Sequence, residues 1–275
     1  MQCHVDANLR DAIKSKNIAF LPLPGVKPMF LPTVLACGPQ LGKPIKVMTT
    51  TKPGYPTPAD VCGYLQGSVE HSAIVLSPEN EFRFDPESIG TPDLVMINYP
   101  HNPSGQIATR TWLQKVCGYC EGRDIRLFND GAYARLAYNS NCCTLADVVL
   151  RDKFPRLSWM ETFSSSKLGN MTGWRIGCAV GSPDFIGDLA KIKGNIDSGF
   201  FAPAAAGALE LLENGAELVS AVAMEYENRI GELIEILQSR GMQLAVQPKA
   251  GFFSLWKLPK TAFGREIANA EQFSS

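Results

Sequence analysis

A run of apolar residues that ends in a proline- and asparagine-rich turn constrains the fold of this chain more than any other feature. Residues 93–98 read DLVMIN, the continuous apolar pattern of a strand buried on both faces of a parallel sheet. The eight residues from Asn98 to Gly105 contain two asparagines, two prolines and a glycine, which place a loop at the carboxyl end of that strand. Ligands bind at the carboxyl ends of strands in open α/β sheets. The sequence therefore predicts an α/β fold with a ligand site beside this loop.

Hydrophobic periodicity predicts the other strands and helices. The strands are expected at 18–23, 45–50, 73–76, 125–128, 159–162, 174–180, 242–246 and 252–258. The helices are expected at 8–16, 29–37, 59–66, 109–120, 183–193, 204–213 and 216–240, with a helical turn at 85–89. With 275 residues, 45% of them hydrophobic, the chain can form one large domain or a large and a small one.

The charge and the hydropathy indicate which kinds of partner to expect. The formal net charge is −1 and basic clusters are absent, which argues against nucleic acid or an anionic membrane as the main partner. No apolar run approaches the roughly 20 residues needed to span a bilayer, and the N-terminal residues show no signal-peptide core. We therefore expect a cytoplasmic protein that acts on small molecules.

Cysteine spacing raises the alternative of a metal or disulfide site. Eight cysteines are present, and Cys117 and Cys120 form a CxxC pair. That pair falls inside a predicted helix, no second CxxC follows it, and the chain has only three histidines. We interpret the cysteines as reduced thiols in or near the core and predict no metal site.

One lysine lies in an unusual setting. Residues 163–177 read FSSSKLGNMTGWRIG, so Lys167 follows three serines and precedes Arg175 by eight residues. Small residues of this kind let backbone N–H groups, hydroxyls and a guanidinium approach a common anion. The pattern favours a phosphate-bearing ligand. The alternative is a polar surface loop with a solvated lysine and arginine.

Three segments together resemble the class I/II aminotransferases, fold type I enzymes that use pyridoxal 5′-phosphate. FSSSKLGNMTGWR resembles the family's Schiff-base motif, and NYPHNPSG resembles its N-x-P-x-N-P-T-G motif, with Ser104 in place of the usual threonine. The run from Asp130 to Tyr133 matches the D-x-x-Y pattern. The NYPHNP, NMTGWR and NIDSG runs look most like the diaminopimelate branch of the family.

The resemblance implies a fold and a domain organisation. The fold is a three-layer α/β/α large domain with a mainly parallel seven-stranded sheet, followed by the start of a small α+β domain. The large, cofactor-binding domain would cover residues 1–215, with its N-terminal part shortened. A connecting helix and an incomplete small domain would cover 216–275. The segment in which relatives carry the arginine for the substrate α-carboxylate has no counterpart here, so no residue is assigned to that contact.

The resemblance also assigns roles around the cofactor. Lys167 would hold the cofactor covalently and then act as the base, while Ser164 and Arg175 would bind its phosphate. Ser166 is a weaker phosphate candidate. Asp130 would keep the pyridine nitrogen N1 protonated, so that the ring acts as an electron sink; the alternative is a carboxylate that caps a turn.

The remaining assignments concern the edges of the cofactor. Tyr133 and Asn102 would bond its O3′ oxygen and stabilise the ionised form of that oxygen. Tyr55 would stack on the pyridine ring, or would simply pack over a proline-rich turn. The segment Gly25, Val26 and Lys27 would touch the phosphate. A glycine required only for packing is the alternative at Gly25.

The implied activity is transfer of an amino group from an amino acid, of diaminopimelate type or aspartate-like, to a 2-oxo acid. Lysine biosynthesis is the implied pathway, and a homodimer is the implied assembly. An aromatic amino-acid substrate stays open. Two alternatives also stay open: a cofactor-dependent lyase or decarboxylase on the same fold, and a shortened, catalytically impaired remnant that binds the cofactor or a partner protein without turnover.

Overall fold

The computed structural model describes residues 8–38, 42–138, 142–199, 201–262 and 264–274. Within those residues the central sheet has seven strands in the order β1-β7-β6-β5-β4-β2-β3. The strands are β1 (Ala19–Leu23), β2 (Ile45–Lys52), β3 (Val69–Val75), β4 (Leu94–Ile97), β5 (Arg126–Asp130), β6 (Trp159–Ser164) and β7 (Gly177–Gly181). Strand β7 runs antiparallel to both of its neighbours, and the other pairs are parallel. The predicted mainly parallel seven-stranded sheet is confirmed.

Helices pack against the central sheet, and two short antiparallel strand pairs follow it in the chain. The helices are α1 (Leu9–Lys14), α2 (Phe30–Leu35), α3 (Thr57–Tyr64), α4 (Arg110–Glu121), α5 (Leu145–Asp152), α6 (Ser165–Leu168), α7 (Pro183–Lys193), α8 (Ala202–Asn214), α9 (Ala216–Ser239) and α10 (Ala270–Ser274). Two small antiparallel pairs join β8 (Gln243–Leu244) to β9 (Trp256–Lys257), and β10 (Thr261–Ala262) to β11 (Arg265–Glu266). None of the helices in the described part of the chain is long and apolar enough to cross a membrane.

Strand β4 shows why the sheet holds a helix layer on each face. All four of its residues are buried. Val95 and Ile97 belong to the core cluster that includes α4 and α5, whereas Leu94 and Met96 belong to the cluster that includes α2, α3 and α7. Alternate strand residues point to opposite faces, and burying each such side chain contributes about 1.5–3 kcal/mol. The predicted three-layer α/β/α arrangement follows from these two apolar faces.

The helix predicted at 109–120 is confirmed as α4. The Thr109 side chain caps it by accepting a hydrogen bond from the Trp112 backbone N–H. Cys117 and Cys120 lie on its buried face, and burial raises the pKa of the Cys120 thiol to about 12. All cysteines in the described ranges are free thiols, and Cys3 lies outside those ranges. Within the same ranges no cluster of His, Cys, Asp or Glu is arranged to hold a metal ion.

Some predicted boundaries are wrong. The strand expected at 174–180 begins only at Gly177, because Thr172–Trp174 form a 3-10 turn and Arg175 adopts the left-handed conformation, with φ 55°. The strand expected at 73–76 begins at Val69 instead. As the edge strand β3 it is half-exposed, so polar residues occupy its first half. The strands expected at 242–246 and 252–258 shrink to the two-residue strands β8 and β9.

Candidate functional site

The residues predicted to bind a ligand line a cavity of about 770 Å³ at the carboxyl ends of β5 and β6. Most of the predicted residues border it directly: Val26, Lys27, Tyr55, Asp130, Tyr133, Ser164, Ser166, Lys167 and Arg175. Gly25 and Asn102 do not border the cavity, but each lies against a residue that does. The three loops singled out in the sequence therefore meet at one edge of the sheet.

Lys167 is held by the short helix that follows β6. The Ser164 side chain caps α6 by accepting a hydrogen bond from the Ser166 N–H at 3.2 Å. The Lys167 ammonium lies 5.6 Å from the centre of the Phe252 ring. Its charge also lowers the pKa of Asp130. The amine is therefore close to both the aromatic wall and the buried carboxylate.

Asp130 ends strand β5 and is only 7% exposed. Burial raises the pKa of its carboxyl group from 3.8 to about 6. The Ala132 N–H, which donates to Oδ1 at 3.2 Å, and the Lys167 charge both oppose that rise. A buried carboxylate of this kind gains a favourable partner when a protonated nitrogen is placed beside it.

Tyr133 and Asn102 form the next part of the wall. Burial raises the pKa of the Tyr133 phenol, with smaller contributions from Asp130 and Tyr55, whereas a hydrogen bond from Asn102 lowers it. The Phe252 and Phe253 rings pack edge-on against Tyr133, with centroids 5.7 and 5.2 Å from its own. The phenol and the amide thus lie next to each other.

The anion-binding part of the cavity consists of hydroxyls and a guanidinium. The Ser166 Oγ is buried and, among the described residues, has no hydrogen-bond partner. The Arg175 Nη1 donates to the Thr172 carbonyl at 2.9 Å, and within the described ranges Arg175 forms no ion pair with a carboxylate. A Cβ added at Gly25 would lie 2.7 Å from the Arg175 Cζ, so only glycine leaves the guanidinium this position. An unpartnered hydroxyl beside an arginine without a counter-charge suits a phosphate.

Tyr55 packs into an aromatic layer below the cavity. Its ring centroid lies 6.1 Å from that of Phe30, which in turn meets Phe128 edge-on at 5.8 Å. Val26 is buried, and Lys27 is exposed at the start of a 3-10 turn. Tyr55 is half-buried, with part of its surface on the cavity, so its ring is available to a ligand.

Sequence reasoning missed two residues with clear structural roles. Asn98 lies in the predicted loop, but its contacts are to the backbone of Asp130 and of Asn102. Phe252 falls in a segment predicted as a strand, and no local signal indicates that it would reach Lys167. The contacts of Asn98 depend on the register that places it directly after β4 and opposite the end of β5, and the sequence does not show that register.

Solved structures identify the fold to which this site belongs. The chain matches an aspartate aminotransferase from Rhizobium meliloti with a TM-score of 0.81 and 19% identity, covering 99% of this chain and 67% of that one. It matches substrate-bound BacF from Bacillus subtilis with a TM-score of 0.80 and 22% identity, covering 99% of this chain and 66% of that one. These likenesses show the fold of the pyridoxal-phosphate-dependent, fold type I aminotransferases.

The sequence comparison gives the family. The family model for class I and II aminotransferases matches residues 50–274, and the chain belongs to this family. It is 32% identical over 236 residues to the LL-diaminopimelate aminotransferase of Methanocaldococcus jannaschii, which covers 84% of this chain and 54% of that protein. The chain thus spans about half the length of that relative. The family depends on pyridoxal 5′-phosphate.

Proposed function

We propose that this protein is a pyridoxal-phosphate-dependent aminotransferase that moves an amino group from an amino acid to a 2-oxo acid. The observation that carries the proposal is the single cavity bordered by Lys167, Asp130 and the anion-binding pair Ser166 and Arg175. An amine, a buried carboxylate and a phosphate subsite are the three features that this cofactor requires from a protein.

The fit to the cofactor can be argued group by group. The buried, unpartnered Ser166 Oγ and the Arg175 guanidinium would hold the phosphate, with Ser164 beside them. Asp130 would pair with the ring nitrogen N1. Asn102 and Tyr133 would donate to O3′, and Tyr55 would cover one face of the ring. Gly25, Val26 and Lys27 complete the phosphate side.

The protein's own groups then have defined tasks. The bound cofactor would supply a ring that withdraws electrons from the substrate Cα. The Asp130 carboxylate would hold the proton on N1, since burial next to a cation favours a close pair. The Lys167 amine would take the proton from the substrate Cα and return it at the cofactor carbon. The apolar Phe252 and Tyr133 rings would limit the access of water to that amine.

We infer a diaminopimelate-type or aspartate-like substrate, with lysine biosynthesis as the pathway. Support comes from the name of the relative, an LL-diaminopimelate aminotransferase, and from the aspartate aminotransferase among the structural neighbours. Both substrates carry a second carboxylate beyond the α-carbon. A half-reaction assay with each amino acid would separate them from an aromatic substrate, because only the preferred donor converts the cofactor to its amine form at low concentration.

The decisive experiment is borohydride reduction of the protein loaded with pyridoxal phosphate, followed by peptide mapping. We expect the reduced cofactor on Lys167 and no labelling in Lys167→Ala. Lys27→Ala is the matched control, since Lys27 borders the same cavity from its exposed rim. Although Lys27 is assigned to the phosphate side, its removal leaves the Lys167 amine in place, so this variant should still be labelled at Lys167. An unmodified Lys167 in the reduced parent protein would refute the proposal.

We also infer a homodimer. Support comes from two large apolar side chains next to Arg175, Trp174 and Phe201, which are 45% and 73% exposed. They line a second cleft of about 480 Å³ that shares Arg175 with the first. Exposed apolar patches of this kind commonly mark protein interfaces. Sedimentation velocity should show a species of two chains, and Phe201→Ser should shift it toward one chain; a monomeric parent would contradict the inference.

The proposed domain division follows the same resemblance. Residues 1–215 would form the cofactor-binding domain, and 216–275 would comprise the connecting helix and the start of a small domain. Support comes from α9, a helix of 24 residues, and from the two small sheets that follow it. Limited proteolysis should cut first within 216–275 and leave a cofactor-binding core.

A further inference from the structure

Asn98 connects two parts of the candidate site through both ends of its side chain. Its Nδ2 donates to the Asp130 carbonyl oxygen at 2.8 Å, and its Oδ1 accepts from the Asn102 N–H at 3.0 Å. The side chain is 6% exposed and borders the cavity. One buried amide therefore spans the residue that would meet N1 and the residue that would meet O3′.

The position of Asn98 in the sheet explains these bonds. The last ladder pair of β4 and β5 joins Ile97 to Asn129, so Asn98 comes next, opposite Asp130. There the backbone of β4 turns away, and the Asn98 side chain continues the connection. Asn129 makes the reverse link, because its Oδ1 accepts from the Tyr99 N–H at 3.0 Å and its Nδ2 donates to the Tyr99 carbonyl at 3.1 Å. Two crossed asparagines thus tie the two strand ends together.

We propose that Asn98 is a positioning residue that sets the distance and orientation between the Asp130 carboxylate and the Asn102 amide. This inference rests on the proposed function. The Asn129 link fixes the loop at Tyr99, two residues beyond the end of β4. The Asn98 bonds extend that fixation to Asp130 on one side and to Asn102 on the other. The Asn98 side chain therefore links the positions of the two cofactor-facing residues.

Two substitutions separate positioning from packing. Asn98→Ala removes both bonds. Asn98→Asp keeps the shape and the acceptor for the Asn102 N–H, but its ionised carboxylate cannot donate to the Asp130 carbonyl. When that carboxyl group is protonated, its O–H replaces the lost donor. Gln106→Ala is the matched control, because Gln106 is 1% exposed and donates to a backbone carbonyl, that of Gln247, away from the cavity.

The experiment measures equilibrium binding of pyridoxal phosphate by absorbance, between about pH 5 and pH 8, together with thermal melting of the unloaded proteins. We expect Asn98→Ala to bind about tenfold more weakly than the parent, equivalent to about 1.4 kcal/mol. The pH midpoint of its visible absorbance should rise by about one unit, because O3′ loses an aligned donor. Asn98→Asp should bind like the parent at the acidic end and about tenfold more weakly at the basic end. Gln106→Ala should melt lower but bind and titrate like the parent.

The outcomes distinguish a failure of the Asn98 inference from a failure of the proposed function. If Asn98→Asp binds and titrates like the parent across the whole pH range, Asn98 does not position the site, and the inference is wrong while the proposed function stands. If the parent itself fails to bind pyridoxal phosphate, the proposed function is wrong and the inference falls with it. Should Asn98→Ala not fold, the pH-dependent affinity of the isosteric Asn98→Asp decides the question alone.

Discussion

Replacement of Glu161 by glutamine tests how a carboxyl group buried beneath the candidate site affects the free energy of unfolding. Glu161 lies in β6 and is completely buried. It accepts hydrogen bonds from the Asn129 Nδ2 at 2.7 Å and from the Leu145 and Ala146 N–H groups at 3.0 and 2.9 Å. Burial nevertheless outweighs these three donors and raises the pKa of the carboxyl group from 4.5 to about 7. The folded protein therefore binds this proton more tightly than the unfolded chain.

The sign and size of the effect follow from that pKa. Below pH 4.5 both states carry the proton, and the contribution of Glu161 to stability is fully present. Between pH 4.5 and about 7 the unfolded chain loses the proton first, so the free energy of unfolding falls as the pH rises. At about 1.4 kcal/mol per pH unit, the loss reaches about 3 kcal/mol above that range.

Glu161→Gln should remove this pH dependence of the free energy of unfolding, but it should also lower that free energy by an amount that does not change with pH. The glutamine amide group presents N–H to a site that offers only donors, which leaves one donor unpaired at about 1–3 kcal/mol. The variant should therefore be less stable than the parent near pH 4.5 and approach or exceed its stability above pH 7. The raised pKa of Asp130 affects parent and variant alike and cancels in the difference.

Urea unfolding at a series of pH values measures the difference between the two proteins. The difference in the free energy of unfolding should change by about 3 kcal/mol across the range. Parallel stability curves for the parent and Glu161→Gln would refute the reasoning, because they would show that Glu161 ionises alike in the folded and unfolded states.

Two further predictions concern the phosphate side of the cavity. Arg175→Gln should weaken binding of pyridoxal phosphate by about tenfold to a hundredfold, since a charge-assisted hydrogen bond contributes about 1.5–3 kcal/mol. Binding of pyridoxal, which lacks the phosphate, should not change, and an equal loss for both ligands by fluorescence titration would contradict the assignment. Gly25→Ala should lower stability by about 1–2 kcal/mol through its positive φ and weaken phosphate binding by displacing the Arg175 guanidinium. Gly173→Ala is its control, because an added Cβ there meets nothing within 4 Å, and equal thermal and binding behaviour of the two variants would rule out the collision.

The sequence predicted those parts of the fold in which local pattern and tertiary environment agree. The apolar run of β4 and the 3.6-residue period of α4 are correct because both elements bury what their pattern predicts. Strand β3 begins earlier than predicted because an edge strand tolerates the polar residues Glu70 and His71. Helix α5 has no counterpart among the predicted elements. Its N-terminus carries a local signal that hydrophobic periodicity did not detect, because the Thr144 side chain caps it by accepting a hydrogen bond from the Asp147 N–H. Its first N–H groups are also held by Glu161, a residue that follows it in the chain.

The candidate site divides in the same way. Lys167, Asp130 and Arg175 were recognisable because each lies in a short motif, and the structure brings all three to one cavity. The functional roles of these residues stay predictions. The contacts of Asn98 and Phe252 could not be predicted, because one depends on the register of two strands and the other on the return of the chain after α9. Short motifs identify the residues that face a ligand. The residues that hold them in place depend on how the strands and helices are arranged.

The antiparallel strand β7 determines where insertions can occur around Lys167. Because Ser164 pairs with Gly177, the connection that carries Lys167 and Arg175 leaves and re-enters the sheet at the same edge. A parallel β7 would have required a crossover to the opposite edge, and Arg175 would have been carried away from the lysine. Both anchors of this connection are fixed at the sheet, so its length limits the separation of amine and guanidinium. An added or deleted residue between 165 and 176 would displace the Lys167 amine relative to the Arg175 guanidinium. Extra residues between α4 and β5 would lie at the opposite edge of the sheet and would leave that separation unchanged.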